Sequence, residues 1–377
     1  MAVTMQQTPD VSGATSGNID FRRATVERTE IQSAITTAMT TSSQRIENEV
    51  VGSGYMYALV LDTVIVSKSN TAAVQFVEDA PWSHWDTVTL RDVNAESVNC
   101  QGFDLFIGDL MQKQYASEYL DKSAEIFTTI GGNVAAGGSY TFMVEIPVGL
   151  NRRSLSGLLG NQNRAQSYFL RSDLAASTSI YSTSPSNLPG STSTINTNVH
   201  YENYAVPLQQ NPEGATQERE PTDFGLYHYL TAMRSSEAPV PSSAVQHFLK
   251  RVGYTVRGLG FIFRAGTGTT PRNVAQSNTP TDLRLQIGDA MIYHDTWRYR
   301  RSRMHKRFGF DWPDGVLVYD FIHDFLVGAG NEIGDDYLQT QGLVNSYLQV
   351  TYPSGFTTGG SLRIVTDDLA FVPPVRS

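Results

Sequence analysis

Two segments of this chain, about two hundred residues apart, carry the same order of features, and this repetition constrains the fold more than any single motif. Each segment opens with Gly-Tyr, at residues 54–55 and 253–254, and continues as a run rich in apolar residues. A polar loop and a shorter run follow, and a late apolar run comes at residues 140–146 or 316–322. Runs of this kind, divided by Gly, Asn, Asp and Ser, are typical of antiparallel strands. The chain is therefore predicted to be all-β, with one architecture built twice.

Length, charge and cysteine content narrow the range of functions. A chain of 377 residues is long enough for two domains, each with its own core. The net charge of −9 argues against a protein whose whole surface binds nucleic acid. The single cysteine, Cys100, excludes an intrachain disulfide and a thiolate metal cluster. The N-terminus lacks the features of a signal peptide, and no apolar run reaches the roughly 18 residues of a membrane-spanning helix, so we expect synthesis in the cytoplasm.

Changes in composition divide the chain into four parts. The predicted parts are an N-terminal arm at 1–48, a first β unit at 49–210, a linker at 211–244 and a second β unit at 245–377. In the arm, an apolar stripe that includes Ile31 and Ile35 predicts a short helix over residues 25–39.

Strand-like runs fill both β units. Strands are predicted at 54–66, 72–77, 86–93, 101–107, 124–130, 139–147 and 199–207 in the first unit, and at 253–264, 281–293, 315–322, 343–352 and 361–366 in the second. Helical spacing of Leu110, Tyr115 and Tyr119 predicts a short helix over 109–123. Residues 182–198, rich in Ser, Thr, Asn and Pro, are predicted to be an exposed loop. The run 224–233 fits a strand or a helix.

No grouping of titratable residues has the spacing of a catalytic or metal site. The clusters are His294-Asp295, His323-Asp324, and Glu332 with Asp335 and Asp336. The last cluster offers oxygen ligands for calcium but lacks the ordered spacing of a dedicated loop. Phosphate-binding loops, dinucleotide fingerprints and serine nucleophile elbows are also missing from the sequence. We therefore expect no cofactor, no resident metal and no enzymatic activity.

A strongly basic segment interrupts this acidic chain just after residue 297. It is predicted to be helical, and its candidate contact residues are Arg298, Arg300, Arg301, Arg303, Lys306 and Arg307. Such a cluster suits the phosphates of nucleic acid or lipid headgroups, but arginine also pairs with carboxylates of a neighbouring domain or subunit. We favour the second interpretation, with these residues as subunit contacts.

Two strings of sequence carry a resemblance to a known family. The first covers residues 140–150 and continues through 155–157 to 161–164; the second runs from 295–297 through the arginines to 311–316. On these strings the chain resembles the double jelly-roll major capsid proteins of tectivirus-type phages, which enclose an internal membrane. The first looks like that family's late strand with its proline, and the second like its Trp, basic helix and proline-containing turn.

The resemblance implies a double jelly-roll of two tandem eight-stranded units, a near-hexagonal homotrimer, and many trimers tiling an icosahedral virion capsid assembled in the host cytoplasm. Implied partners are other copies of the chain, vertex and minor capsid proteins, and the internal membrane through the N-terminal arm, with no specific nucleic acid. The loop 182–198 is expected to point outward. Two alternatives stay open: a trimeric receptor-binding spike protein of similar composition, and a glycan-cleaving β-sandwich enzyme that uses carboxylates such as Asp335 and Asp336.

Overall fold

The computed structural model describes most of the chain as strands joined by short turns. The described residues are 26–36, 39–50, 54–67, 75–92, 95–112, 138–150, 157–161, 167–183, 195–205, 226–251, 253–266, 272, 279–321, 337–340, 343, 345–356 and 359–371. The strands are β1 (Val26–Thr36), β2 (Glu47–Glu49), β3 (Gly54–Ser67), β4 (Gln75–Phe76), β5 (Trp85–Arg91), β6 (Glu96–Cys100), β7 (Gly138–Pro147), β8 (Leu159–Asn161), β9 (Phe169–Leu174), β10 (Tyr181–Thr183), β11 (Ile195–Ala205), β12 (Leu226–Arg234), β13 (Ala244–Phe248), β14 (Thr255–Arg264), β15 (Asp282–Ile287), β16 (Ala290–Asp295), β17 (Val316–Asp320), β18 (Leu338–Gln339), β19 (Tyr347–Thr351) and β20 (Ser361–Phe371). The α-helices are α1 (Gly102–Gln112) and α2 (Trp297–Phe308).

The first eight main strands form one jelly roll, which we call roll 1. One of its sheets has the order β1-β11-β3-β7, and the other has the order β2-β9-β5-β6. When these strands are ranked from first to eighth along the chain, the two orders read 1-8-3-6 and 2-7-4-5. β4, β8 and β10 are short additions to this framework.

The remaining main strands repeat the same topology as roll 2. Its sheets have the orders β12-β20-β14-β17 and β13-β19-β15-β16. Ranked along the chain, they again read 1-8-3-6 and 2-7-4-5. Two eight-stranded jelly rolls in tandem are therefore confirmed, and the sequence repeat reflects a repeat of architecture.

Alternation along the strands decides which side chains enter each core. In β3, Leu59 and Leu61 are fully buried, whereas Val60 between them is half-buried. In the neighbouring strand β7, Val144 lies opposite Leu61 and is buried, whereas the preceding residue, Met143, is exposed. One face of the sheet thus packs on its partner sheet, and we call the opposite face the outer face.

Matching β-bulges show which residues of the two rolls correspond. The third strand of each roll has one residue more than the strand that it pairs with, Tyr57 in β3 against β11 and Arg257 in β14 against β20. The fifth strand of each roll also has one, Ser97 in β6 and Ile292 in β16. In both rolls an α-helix begins five residues after the second bulge, at Gly102 for α1 and at residue 297 for α2. The two helices are therefore equivalent elements.

Helix α1 lies buried between the rolls and joins them. It rests on the outer face of the roll 2 sheet, where a Cβ added to Gly108 would lie 2.5 Å from Leu230 Cδ2. Nearby, Gly260 leaves room for Ile107, whose Cγ2 would be 3.3 Å from an added Cβ. Beside this contact, β6 of roll 1 pairs in parallel with β12 of roll 2. One continuous sheet thus crosses from one roll to the other.

Buried ion pairs also connect the two rolls. Asp79, which precedes β5 in roll 1, pairs with Arg264 and Arg272 of roll 2, and all three side chains are buried. At α1, the Asp104 carboxylate accepts a hydrogen bond from Arg363 Nε at 2.6 Å. Both carboxylates are buried, so each must keep its partner.

Two predictions of secondary structure were wrong. Residues 26–36, within the predicted N-terminal helix, form β1 instead, because their backbone pairs with β11 from Val26 to Thr36. The predicted strand at 101–107 lies within α1, where Asp104 accepts a hydrogen bond from the backbone N–H of Gln101. Contact with both rolls buries α1 from Gly102 to Met111, so even its acidic residues Asp104 and Asp109 are buried and it lacks the exposed polar face typical of a surface helix.

The strand pairing also moves parts of the predicted arm and linker into the rolls. β1 is the first strand of roll 1, and β12, within the predicted linker 211–244, is the first strand of roll 2. The predicted loop 182–198 is strand at both ends, in β10 and β11. The predicted strand at 124–130 and residues 113–123 of the predicted helix lie outside the described residues, as do 206–225.

Most other strand predictions are confirmed within a few residues. The run 281–293 is a hairpin of β15 and β16 that turns at Gly288. The strands that no pattern predicted include β2, β6, β8, β9, β13 and β18. The run 224–233 is a strand, β12. No helix in the described part of the chain is long and apolar enough to cross a membrane.

Candidate subunit-contact surface

The basic segment forms a well-defined helix, as predicted. Thr296 caps its N-terminus, where the Oγ1 accepts a hydrogen bond from the backbone N–H of Tyr299 at 3.4 Å. Gly309 ends it in the left-handed conformation, with φ of 79° and a hydrogen bond to the His305 carbonyl. Three basic side chains in the last turn interact favourably with the helix dipole. Local sequence therefore sets both ends of α2.

One stripe of α2 packs into roll 2, and it includes an arginine. Arg300, Met304 and Phe308 are its buried side chains, spaced four residues apart. The Arg300 guanidinium pairs with the Asp295 carboxylate and stacks between two tyrosine rings, 4.5 Å from the centroid of Tyr293 and 3.9 Å from that of Tyr319. Arg300 thus anchors the helix within its own chain.

Arg301 and Arg307 also bind within the chain. Arg301 donates to the carbonyl of Trp312 at 2.6 Å and to that of Pro313 at 2.9 Å. Burial lowers the pKa of the Arg301 guanidinium, against the opposing effects of nearby carboxylates. Arg307 Nε donates to the Asp320 carboxylate of β17 at 2.9 Å. Three of the six predicted contact residues thus hold α2 on its own roll, and a subunit contact by any of the six stays a prediction.

The other three predicted contact residues face solvent. Arg298, Arg303 and Lys306 are exposed, and no carboxylate of the described residues lies within ion-pair distance of them. Tyr299, on the same side of the helix, is 54% exposed. A recess of about 240 Å³ lies beside Arg303, between α2 and the strands β16 and β17. This basic, partly aromatic side of α2 is the surface available for an external contact.

Alanine at Arg300 and at Arg303 should have different effects on stability. Arg300→Ala leaves the buried Asp295 carboxylate without its partner, so we expect a loss of about 1.5–3 kcal/mol in the free energy of unfolding. Arg303→Ala removes an exposed side chain and should stay within about 0.5 kcal/mol of the parent. Urea unfolding of the two variants measures the difference. Equal losses would show that the assignment of these two arginines is wrong.

The remaining sequence candidates do not assemble into a reactive site. His294 Nε2 lies 2.7 Å from an oxygen of Asp282 on the exposed side of β16, whereas the adjacent Asp295 is buried against Arg300. The clusters at 323–324 and 332–336 lie outside the described residues. Among the described residues, no group of three or more His, Cys, Asp and Glu side chains is arranged to hold a metal ion.

Exposed apolar side chains mark surfaces that sequence reasoning missed. Eight large hydrophobic side chains are exposed in the described part of the chain, and five of them fall into two groups. Met291, Ile292 and Tyr299 lie on β16 and α2. Ile31 and Met143, which are 64% and 52% exposed, belong to the sheet β1-β11-β3-β7. The alternation in residues 139–147 already placed Met143 opposite the core, but nothing in the sequence placed Ile31 on a sheet.

Comparison with known proteins finds likeness in structure alone. No protein-family model matches the chain, and no curated protein matches it in sequence. The MCP of STIV, Sulfolobus turreted icosahedral virus, superposes with a TM-score of 0.64 at 10% identity, over 92% of this chain and 97% of its own. A chain of the PBCV-1 virus capsid gives 0.64 at 13% identity, over 92% and 94%. The major capsid protein P2 of bacteriophage PM2 gives 0.52 at 9% identity, over 93% and 99%. The chain thus has the double jelly-roll fold of these capsid proteins along nearly its whole length.

Proposed function

We propose that this chain is a structural major capsid protein, whose pseudo-hexagonal homotrimers tile an icosahedral virion shell around an internal membrane. The observation that carries this proposal is the shared fold, which extends over at least 92% of both chains in each comparison above. A match over whole chains favours the role of the entire protein more than a match to one domain does. The proposed role is structural and requires no cofactor.

The finer parts of the proposal concern partners. The partners are other copies of the chain, vertex and minor capsid proteins, and the internal membrane. Residues 1–25, the part of the predicted N-terminal arm that precedes β1, would contact this membrane. Trimer interfaces in such a shell are permanent, whereas contacts between trimers are weaker so that growth can correct errors. No specific nucleic acid is expected, because the chain as a whole is acidic, with a net charge of −9.

The mass of the purified chain tests this proposal. We expect size exclusion coupled to light scattering to give three times 41.5 kDa, or larger shells, at both low and high salt. Electron microscopy then shows whether trimers form closed shells with hexagonal units. A monodisperse monomer would contradict the proposal. A trimer that binds host glycans and never forms shells would favour the receptor-binding alternative.

A further inference from the structure

The helix that joins the two rolls, α1, is equivalent to α2, and the matching positions of α2 are exposed. Within the chain, α1 of roll 1 contacts roll 2 through Ile107 and Gly108. When the two rolls are aligned on the bulges at Ser97 and Ile292, Ile107 and Gly108 of α1 correspond to Ser302 and Arg303 of α2. Both are exposed, as are Tyr299 and Lys306, the counterparts of Asp104 and Met111. The helix positions that join the rolls are therefore the ones that α2 leaves open.

The surface that receives α1 on roll 2 also has a counterpart, on roll 1. Leu230 and Gly260, which lie against α1, belong to the outer face of the sheet β12-β20-β14-β17. When the third strands of the two rolls are aligned on the bulges at Tyr57 and Arg257, Gly260 corresponds to Val60. The strand pairing then extends the alignment to the first strands, where Leu230 corresponds to Thr29. Thr29 is exposed and Val60 is half-buried. The outer face of the roll 1 sheet is thus exposed at Thr29, whereas α1 covers the equivalent position of roll 2.

The uncovered face of roll 1 has the character of an interface. Its exposed apolar side chains are Ile31 and Met143. Asp62, opposite Met143, and Glu145, opposite Val60, are half-buried acidic residues on the same face. The exposed side of α2 has an aromatic ring and three cationic side chains, so the two surfaces are complementary in both charge and apolar character.

The strand edges beside these surfaces correspond in the same way. β6 continues its sheet by pairing in parallel with β12, where Val98 lies opposite Leu230. The counterparts are β16 and β1, which are the outermost strands of their sheets in the described part of the chain. Exposed Met291 and Ile292 lie on β16. An edge strand with unpaired backbone groups favours the addition of another strand.

We propose that α2 and β16 of one copy dock on the outer face of the sheet β1-β11-β3-β7 of the next copy, in the manner in which α1 and β6 dock on roll 2. Arg303 then lies against Thr29, and Tyr293 pairs opposite Thr29 across the new strand pair. Two different surfaces meet, so the contact is heterologous, and in the proposed homotrimer three such contacts close a ring. This inference rests on the proposed function, and it identifies the surfaces that hold the homotrimer together.

A cross-link between the two surfaces tests the docking mode. In the full chain, Thr29→Cys and Arg303→Cys are introduced together, since their counterparts Leu230 and Gly108 are in direct contact, with Leu230 Cγ 3.4 Å from a Cβ added to Gly108. The native Cys100 is buried and should not react. After oxidation, we expect a covalent species of three times 41.5 kDa on a non-reducing gel, because each copy links to the next around the ring.

Three control proteins make the result specific. Each single cysteine variant should run as a monomer on the denaturing gel, because a heterologous contact brings unlike residues together. The pair Val240→Cys and Arg303→Cys, whose first member is an exposed turn residue, should also stay monomeric. Cross-linking by a single variant would overturn the proposed docking mode in favour of a two-fold contact.

Light scattering of the same samples separates the two proposals. A native trimer without cross-links in the double variant would overturn the docking mode and leave the capsid function intact. A native monomer in the parent protein would contradict both. A covalent trimer from the double variant alone supports both the docking mode and the ring.

Discussion

Replacing Asp79 by asparagine is expected to lower the free energy of unfolding by about 3–5 kcal/mol, as is typical when one partner of a buried ion pair is removed. The Asp79 carboxylate pairs with Arg264 and Arg272, and the three side chains are at most 7% exposed. Asparagine keeps nearly the same volume, so the loss reflects charge and not a cavity. Two guanidinium groups would then stay buried without their carboxylate.

The location of Asp79 makes this loss important for the whole molecule. Asp79 belongs to roll 1 and both arginines belong to roll 2. Both guanidinium groups also lie near the ring of Phe103 in α1, Arg272 at 4.6 Å and Arg264 at 5.7 Å from its centroid. The cluster therefore joins α1 and the two rolls. We expect the substitution to weaken the junction between rolls before it affects either core.

Urea unfolding at fixed protein concentration measures the effect, because assembly makes stability depend on concentration. Asp311→Asn is the matched control, since Asp311 pairs with His305 at 2.9 Å but is 88% exposed. An exposed pair contributes between about zero and 1 kcal/mol. If the two substitutions had equal effects, the Asp79 cluster would not be the buried network described here.

Acidification from pH 6.5 to pH 5 is expected to remove about 3 kcal/mol of stability through two buried histidines. Burial lowers the pKa of His84 to about 3. Burial also lowers the pKa of His247 to about 4, against the opposite effect of Glu237. Each imidazole is neutral in the folded state, whereas in the unfolded chain it takes a proton near its ordinary pKa of 6.5. The contribution to stability is therefore fully present well above pH 6.5 and is lost as the pH falls, by about 1.5 kcal/mol for each histidine between pH 6.5 and pH 5.

The two sites explain why neither imidazole accepts a second proton. His84 packs against the rings of Trp85 and Phe142, with centroids 4.8 Å and 5.4 Å away. His247 Nδ1 lies 2.9 Å from the Ser235 hydroxyl, and its Nε2 lies 2.7 Å from the Tyr352 hydroxyl. Hydroxyl groups satisfy the neutral ring without providing a charge to balance an imidazolium.

Substitution separates the contribution of each histidine. His84→Phe should reduce the loss of stability between pH 6.5 and pH 5 by about half, since phenylalanine fits an aromatic site and does not titrate. His247→Gln should have a similar effect on the pH profile, although its hydrogen bonds change. Unfolding curves at several pH values measure both. A pH profile unchanged in both variants would show that these histidines are not the acid-sensitive groups.

The sequence by itself determined the fold class, the tandem repeat and the basic helix. Strands such as β7 and β15 were predictable because their period-two alternation reflects a sheet with one buried face. Helix α2 was predictable because a Thr cap, a Gly stop and its long polar run are local signals. The resemblance to capsid proteins rested on the sequence around β7 and around α2.

Only the tertiary structure decided the elements that join distant parts of the chain. β1 became a strand because β11 lies beside it, although its own residues also fit a helical stripe. Helix α1 is buried between the two rolls, including its acidic residues Asp104 and Asp109, so it lacks the exposed polar face by which a surface helix is recognised. The six basic residues of α2 look equivalent along the chain, yet Arg300, Arg301 and Arg307 bind within the chain, whereas Arg298, Arg303 and Lys306 have no ion-pair partner in the part of the chain that the structure describes. Sequence pattern records local geometry and average burial, whereas the pairing of residues far apart is settled only when the chain has folded.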